Sequence, residues 1–167
     1  MAKKKKTLED LFEDTLKDVY YAENKILKAL PKMAKAAHST ELKAAFQKHF
    51  KETEGQVVRL DKVFRLIDVA PKGKKCEAIE GIIAEGAEIM KEFKGTPALD
   101  AGLVSAAQAV EHYEMARYGT LKRWALQMGL NEAARLLDQT LTQEKDTDKA
   151  LTELADSAIN EHAEAAE

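Results

Sequence analysis

The sequence of 167 residues has few of the residues that interrupt helices or cross-link chains, and each shortage excludes a class of protein. Its one cysteine, Cys76, excludes an internal disulfide framework. Three prolines, eight glycines and 6% aromatic residues are typical of a helical rather than a β-rich protein. No apolar run approaches the roughly 18 residues of a membrane span. These shortages favour an all-α protein of the reducing cytoplasm, without a membrane partner.

The charges are abundant but nearly balanced. The chain has 26 basic and 29 acidic residues and a formal net charge of −3, which argues against a nucleic-acid partner. The one basic run lies at the start, where residues 1–6 read MAKKKK. No apolar segment follows this run, so it is not a secretory signal. We predict a basic N-terminal tail over residues 1–6.

Apolar residues at helical spacing predict two long helices in the part of the chain before Pro71. Thr7 and Asp10 have the spacing of a capping box, and the first helix should run from there to about Ala37. We expect Pro31 to kink this helix or to break its last turn. Ser39 or Thr40 should begin the second helix.

A short helix and two further long helices are predicted in the rest of the chain. The short helix, Cys76–Phe93, lies in a long connection. Thr96 should cap the third long helix, which continues to about Met128 and ends at Gly129. Asn131 should cap the fourth long helix, which ends near residue 160.

This order predicts a ferritin-like four-helix bundle. Each pair of long helices is joined by a turn of a few residues, whereas the middle connection is long and carries the short extra helix. A lone helical hairpin cannot bury its apolar face, so the two pairs should form one domain. We place this domain at residues 7–162, followed by a C-terminal tail at 163–167.

Every long helix carries an acidic residue near its midpoint, and three of the four helices place it in the face that should be buried. Glu23 lies within the apolar stripe of the first helix, and Glu144 lies at the centre of the stripe of the fourth. On the third helix Glu111 and Glu114 share a face with Gln108. The candidate metal ligands, here called the acidic belt, are Glu23, Glu52, Glu111, Glu114, Glu144 and Asp148, and His49 and Gln56 are weaker candidates beside Glu52.

The positions along the helices support this grouping. The first predicted turn lies at His38 and Ser39. Glu23 and Glu52 lie nearly equally far from this turn in sequence, one before it and one after it. Glu114 and Glu144 are equally far in sequence from Gly129, on either side of the second turn. Two residues that are equally many positions from the turn of an antiparallel hairpin lie at the same height along its helices, because each residue adds the same rise. The acidic residues should therefore form one layer across the middle of the bundle.

A layer of four to six carboxylates cannot be buried as free anions, because each buried ion costs several kcal/mol and like charges add to the cost. Protons, buried cations or metal ions would relieve the charge. Lys122 is the main candidate for a buried cation. Two divalent metal ions would neutralise about four carboxylates, as in di-iron and di-manganese bundles. An oxygen-rich ligand set favours iron or manganese.

Four motifs carry a resemblance to a known family. The segments LPKMAKAA, KETEGQVVRLDKVF, VEHYEMARYGTL and TQEKDTDKALTELA together resemble the YciE/YciF family of bacterial stress-associated proteins. The resemblance covers nearly the whole chain. It implies a ferritin-like four-helix fold and the possibility of a metal centre, and it supplies no reaction.

The wider ferritin-like pattern matches part of the acidic belt. Glu23 matches the single glutamate of the first helix, and Glu111 with Glu114 matches a Glu-x-x-Glu pair of the rubrerythrin kind. Glu144 and Glu52 match acidic positions of Glu-x-x-His motifs, but threonine and glycine replace the two histidines. His49 or Gln56 would have to substitute for a missing histidine on the second helix.

Two hypotheses follow. The first is a cytoplasmic stress-associated protein holding two iron or manganese ions, with possible ferroxidase or peroxide-directed chemistry, no assigned catalytic residue, and Tyr118 as a hydrogen-bond donor or electron source. Without a rubredoxin-like cysteine cluster, it would need an external electron donor. The second is a non-enzymatic dimeric scaffold whose carboxylates form a structural hydrogen-bond network. The aligned belt favours the first, and the missing histidines favour the second. A homodimer is expected in both, partly from the resemblance.

Overall fold

The computed structural model describes residues 6–165 and consists of helices joined by turns. The predicted tail over residues 1–6 therefore lies outside the described residues except for Lys6, as do residues 166 and 167. The helices are α1 (Leu8–Ala36), α2 (Thr40–Leu66), α3 (Glu77–Glu92), α4 (Leu99–Gln127) and α5 (Asn131–Leu154), followed by a π-helical turn (Ala155–Ile159) and α6 (Asn160–Glu164).

The four long helices form two antiparallel hairpins that pack into one bundle. Residues 37–39 join α1 to α2, and residues 128–130 join α4 to α5. Helix α2 packs against α5, α1 packs against α4, and α3 lies against α4 and α1. The predicted four-helix bundle with a short helix in its crossover is thus confirmed. Within residues 6–165, no helix combines the length and apolar character needed to cross a membrane.

Local hydrogen bonds set several of the predicted helix ends. The Thr7 side chain accepts from the amide of Asp10, whose carboxylate accepts from the amide of Thr7, so the capping box is confirmed. Ser39 caps α2 by accepting from the amide of Leu42 at 3.1 Å. Gly129 has a φ of 74°, in the left-handed region where a Cβ is unfavourable, and ends the α4 hairpin turn.

Two of the expected caps are wrong. Thr96 donates its hydroxyl to the carbonyl of Phe93 at 2.8 Å, so it closes the end of α3, and Ala98 precedes α4 instead. Asn131 is the first residue of α5 and does not cap it. Leu130 occupies the cap position because its side chain packs against the core. Apolar packing decides the start of α5 more strongly than a polar cap.

Two helix ends also differ from expectation. Of the two outcomes expected at Pro31, a kink or a broken last turn, the break does not occur, since α1 continues to Ala36. The buried side chains of Leu30 and Met33 hold the last turn against the core, which offsets the one hydrogen bond that proline cannot donate. At the other end, the helical backbone continues past residue 160 to Glu164 through the π-helical turn.

Glycine permits the close approach of α3 to α4. A Cβ placed on Gly102 would lie 2.6 Å from the Cγ2 atom of Ile89, a distance that side chains cannot adopt. A Cβ on Gly86 would lie 3.4 Å from the Cβ of Ala106. The crossover helix is thereby seated directly on the bundle, where it closes one side of the core.

The buried core is divided into two apolar clusters. The first lies near the α1–α2 turn and includes Ile26, Phe46 and Leu103. The second lies near the α4–α5 turn and includes Phe12, Phe64 and Leu137. The residues buried between them are polar: Glu23, His49, Thr53, Gln56, Glu111, Glu114, Glu144 and Thr147. A polar layer therefore crosses the bundle at mid-height, as the sequence positions predict.

One carboxylate connects the two hairpins at the end of the bundle. Asp100, in the first turn of α4, is buried and accepts from the amides of His38 and Ser39 at 2.8 and 2.6 Å. These are the backbone donors of the turn between α1 and α2. Asp100 therefore fixes the start of α4 relative to the first hairpin.

We expect Asp100→Ala to lower the free energy of unfolding by about 2–3 kcal/mol, because two buried amides lose a charged acceptor. Asp100→Asn keeps one acceptor oxygen and should cost less. Urea denaturation followed by circular dichroism measures the change. The control is Asp146→Ala on the exposed side of α5, expected to stay within about 0.5 kcal/mol. Equal stability of Asp100→Ala and the control would contradict the assigned role.

Candidate metal centre

Four glutamates from three helices meet in the polar layer. Glu23 of α1, Glu111 and Glu114 of α4, and Glu144 of α5 have exposed fractions of 0%, 1%, 1% and 0%. We call these four residues the buried carboxylate cluster. Their burial matches the apolar-stripe positions from which they were predicted. Whether they bind metal remains a prediction.

One histidine joins three of these glutamates in an arrangement that fits a metal ion. A single ligand atom from each of His49, Glu111, Glu114 and Glu144 lies within 4.8 Å of the other three. His49 reaches the group from α2, where its Nε2 atom lies 3.4 Å from Oε1 of Glu111. Glu23 of α1 is also part of this group, because it and Glu114 shift each other's pKa, so four helices contribute to it.

Neutral donors hold two of the glutamates in place. The hydroxyl of Tyr118 donates to Oε1 of Glu23, and the side-chain amide of Gln56 donates to Oε1 of Glu144. Both donors are fully buried. Burial and the neighbouring carboxylates raise the pKa of Tyr118 well above its usual value, so it keeps its proton and remains a donor.

Burial makes the charged form of every glutamate in the cluster unfavourable. Loss of hydration, and then the charge of Glu144, raises the pKa of Glu23 from 4.5 to about 8. Burial also raises the pKa of Glu144 to about 7, and it raises the pKa of Glu111 and of Glu114 well above the usual range. Two contacts allow a carboxyl proton to be shared, one between Glu23 and Glu114 and one between Glu111 and Glu144.

His49 is an uncharged nitrogen ligand in this setting. Burial, helped by the charge of Lys48, lowers the pKa of His49 to about 4. The imidazole is therefore neutral at pH 7, which is the form that binds metal. Neither of its ring nitrogens has a hydrogen-bond partner within the described residues.

The remaining predicted residues lie at the edge of the layer. Glu52 is partly exposed and pairs with Lys48 at 2.8 Å. Asp148 lies 3.2 Å from Nε2 of the exposed His112 and accepts from Gln108 at 3.1 Å. Gln108 is also at the edge and does not contact the cluster as its helical position suggests. These three side chains point a little to the side of the core because of their angular positions around the helix axes.

A cation that acts on two of the clustered glutamates is an arginine that the sequence did not indicate. Arg59 of α2 donates to Gln143 and Thr140, and its charge lowers the pKa of Glu23 and of Glu144. Lys122, the predicted cation, instead pairs with Asp138 at 2.7 Å near the α4–α5 turn. Arg59 lies one turn after Gln56, and only the tertiary structure brings it close to α5.

The unpartnered atoms fit a metal site. Within residues 6–165, both oxygens of Glu114 and one oxygen each of Glu23, Glu111 and Glu144 are buried with no donor except a neighbouring carboxyl group, and both nitrogens of His49 are buried without a hydrogen-bond partner. Buried polar atoms are normally satisfied. Carboxylate oxygens with one imidazole form a ligand set suited to iron or manganese. The residues present therefore fit a site for such ions.

We expect the free energy of unfolding of the metal-free protein to fall as the pH rises from about 5 to about 8. The folded cluster retains protons that the unfolded glutamates lose near pH 4.5, so stability is present at low pH and lost as the pH passes the raised values. The slope is about 1.4 kcal/mol per pH unit for each retained proton. Urea denaturation with chelator present measures it.

Glu114→Gln is the matched variant for this measurement, because it keeps the side chain's shape and removes one ionisable group. It should be more stable than the parent at pH 8 and show a shallower pH slope. A metal-free parent whose stability rises over this interval would contradict the assigned protonation.

Comparisons with known proteins agree with the fold. Residues 7–164 match a family described as Domain of unknown function (DUF892). Protein YciF of Escherichia coli strain K12 is 44% identical over 160 residues, which cover 95% of this chain and 96% of that protein. No activity is assigned by either match.

Solved structures show the same architecture. The crystal structure of the E. coli stress protein YciF matches with a TM-score of 0.89 and 44% identity, over 93% of this chain and 99% of that one. YcfI of Rhodopseudomonas palustris, described as a proposed structural protein, gives 0.87 and 43%, over 91% and 97%. A Xanthomonas campestris protein at 24% identity and a TM-score of 0.72, over 94% and 95%, supports the fold alone. By sequence and structure, the chain belongs to the DUF892 family.

Proposed function

We propose that this chain is a stress-associated protein that holds two iron or manganese ions in the middle of its helical bundle. The observation that carries the proposal is the convergence of His49, Glu111, Glu114 and Glu144 within 4.8 Å, with most of their polar atoms otherwise unpartnered among the described residues. Glu23 adds a fourth carboxylate beside Glu114. The association with stress rests on similarity to the E. coli stress protein YciF.

The ligand set itself argues for hard cations. Glu111, Glu114, Glu144 and His49 would hold one ion, and Glu23 with Glu114 would reach a second. Four ionised carboxylates are compensated by two divalent ions, which removes the charge that burial makes costly. One imidazole among carboxylates favours iron or manganese over copper or zinc.

The chain's own residues orient and shield this site. Tyr118 donates to Glu23 and Gln56 donates to Glu144, so one oxygen of each carboxylate is fixed while the other stays available. The apolar clusters on either side exclude water from the layer. When bound, redox-active ions of this kind supply Lewis acidity and electron transfer, which suits oxidation of Fe²⁺ or removal of peroxide. No residue is assigned a catalytic role.

A proton-sharing structural network is the second candidate function. The shared-proton contacts of Glu23 with Glu114 and of Glu111 with Glu144 favour it. In this case the protein would be a non-enzymatic scaffold, and protons alone would neutralise the cluster. The replacement of both expected histidines by Gly55 and Thr147 agrees with this candidate.

We expect close to two iron or manganese ions per chain when the untagged protein is purified without chelator from cells supplied with both metals. Plasma mass spectrometry measures the content. Glu111→Gln and Glu144→Gln should each lose most of the metal, because each removes a carboxylate ligand while keeping its shape. The matched control is Glu88→Gln on the exposed face of α3, which should keep the parent's content.

The thermal melting temperature separates the two candidates. Metal binding to the folded state should raise it on addition of Fe²⁺ under anaerobic conditions or of Mn²⁺. The parent should show this rise, and the two cluster variants should not. A metal-free parent whose melting temperature ignores both ions would overturn the metal proposal and support the proton-sharing scaffold. Oxidation of Fe²⁺ and consumption of peroxide are then assayed only on metal-binding protein.

We further propose that the protein acts in the cytoplasm as a homodimer and receives electrons from an external donor. Its one thiol, Cys76, is buried beside the Tyr113 hydroxyl at 3.2 Å and forms no electron-transfer cluster. Sedimentation equilibrium should give twice the chain mass of 18.6 kDa. A species that keeps the single-chain mass at every concentration tested would contradict the dimer.

A further inference from the structure

A cavity of about 260 Å³ lies beside the polar layer and is lined by residues of all five helices from α1 to α5. It exceeds the roughly 150 Å³ of a dry cavity that admits benzene. The buried residues His49 and Glu111 also line it, so its inner end shares these two residues with the candidate metal centre.

The walls of the cavity are apolar over most of their length. Phe46 of α2, Ile83 and Met90 of α3, Val110 of α4 and Leu151 of α5 contribute to them. An occupant must therefore offer apolar surface, because buried polar groups would find few partners along these walls. By proportion to the benzene cavity, the space suits an aliphatic chain of roughly ten carbons.

Lysines surround the open side of the cavity. Lys25, Lys28, Lys32 and Lys48 belong to its lining. Lys25 pairs with Glu80 at 2.6 Å, and Lys48 pairs with Glu52 at 2.8 Å. Lys28 and Lys32, which are exposed and one turn apart on α1, make no ion pair with any residue from 6 to 165. Two ammonium groups are thus available at the mouth of an apolar cavity.

The charge distribution sets the orientation of an occupant. The exposed part of the cavity lining carries the ammonium groups of Lys28 and Lys32, and the rest of the wall is mostly apolar. The anionic head therefore belongs at Lys28 and Lys32, and the apolar chain points inward. An aliphatic cation would meet the lysines with the same sign of charge and is disfavoured.

We propose that this cavity binds a free aliphatic carboxylate of about ten carbons, with its carboxylate at Lys28 and Lys32 and its chain between α1, α3 and α4. The binding is non-covalent. It does not depend on metal in the neighbouring centre, so it stands or falls separately from the proposed function.

The test is isothermal titration of the full-length protein with sodium decanoate below its micelle concentration. Acetate and decyltrimethylammonium are titrated in parallel, to separate the contributions of the head and of the chain. We expect one decanoate per chain and no measurable binding of acetate. The decyl cation should bind at least about tenfold more weakly, because its charge is repelled by the lysines. Each titration is done with chelator and again with added Mn²⁺.

Three variants localise the binding. Lys28→Ala/Lys32→Ala should raise the dissociation constant for decanoate roughly three- to tenfold, the range expected for losing two exposed ion pairs. Lys35→Ala/Lys51→Ala is the matched control, since both lysines are exposed and lie outside the cavity lining. Ala29→Phe fills the cavity from α1 and should abolish decanoate binding, with the melting temperature confirming that the variant folds.

The outcomes separate the assignments. Tight binding of decanoate that is weakened in the lysine variant and lost in Ala29→Phe supports the proposal, whether or not metal is present. Equal binding of decanoate and the decyl cation would overturn the lysine-bound head. If decanoate binds only when Mn²⁺ is present, the proposed orientation is wrong, because the carboxylate of decanoate would then lie at the inner end of the cavity, beside the metal. Absence of decanoate binding to the parent would overturn the site altogether.

Discussion

The burial of four glutamates at one height of the bundle is the constraint on which the rest of the structure depends. Ionised carboxylates lose several kcal/mol each when they leave water, and their mutual repulsion adds to that cost. The chain supplies one neutral donor to Glu23 and one to Glu144, and Arg59 acts on both from a distance. Within residues 6–165, these contacts leave both oxygens of Glu114 without a donor. Something positive, protons or metal ions, must complete the layer.

The apolar parts of the bundle keep this layer in place. The two core clusters lie on either side of it, so a shift of one helix along its axis would move a glutamate into apolar surroundings. Asp100 connects the turn between α1 and α2 to the start of α4, which fixes the two hairpins relative to each other. Gly102 allows α3 to lie against α4, and α3 supplies part of the cavity wall beside His49. The positions of the layer and the cavity thus follow from the same packing.

Helical periodicity and residue counting predict most of this arrangement, because both depend only on the regular geometry of a helix. They identify the four long helices, the crossover helix and the burial of Glu23, Glu111, Glu114 and Glu144. They also place Asp148 at the edge of its apolar stripe and Glu52 outside the stripe of its helix, and both residues do lie at the edge of the layer. Periodicity and counting fail where a partner distant in the sequence determines a contact or a helix end.

Two contacts illustrate the effect of distant partners. Arg59 reaches residues 81 and 84 positions away on α5, and no local pattern marks it. Leu130 precedes α5 because it packs against the core, although Asn131 is the better capping residue by propensity. Neither position could be assigned before the helices were placed against one another.

The contact of Arg59 also bears on what neutralises the layer. The raised pKa values of the four glutamates mean that protons alone would neutralise most of the layer near pH 7, and two divalent ions would neutralise four ionised carboxylates. Arg59 is a cation whose charge lowers the pKa of both Glu23 and Glu144. Because protons are lost as the pH rises whereas a metal ion binds the ionised carboxylates, the stability of the protein at high pH distinguishes the two ways of neutralising the layer.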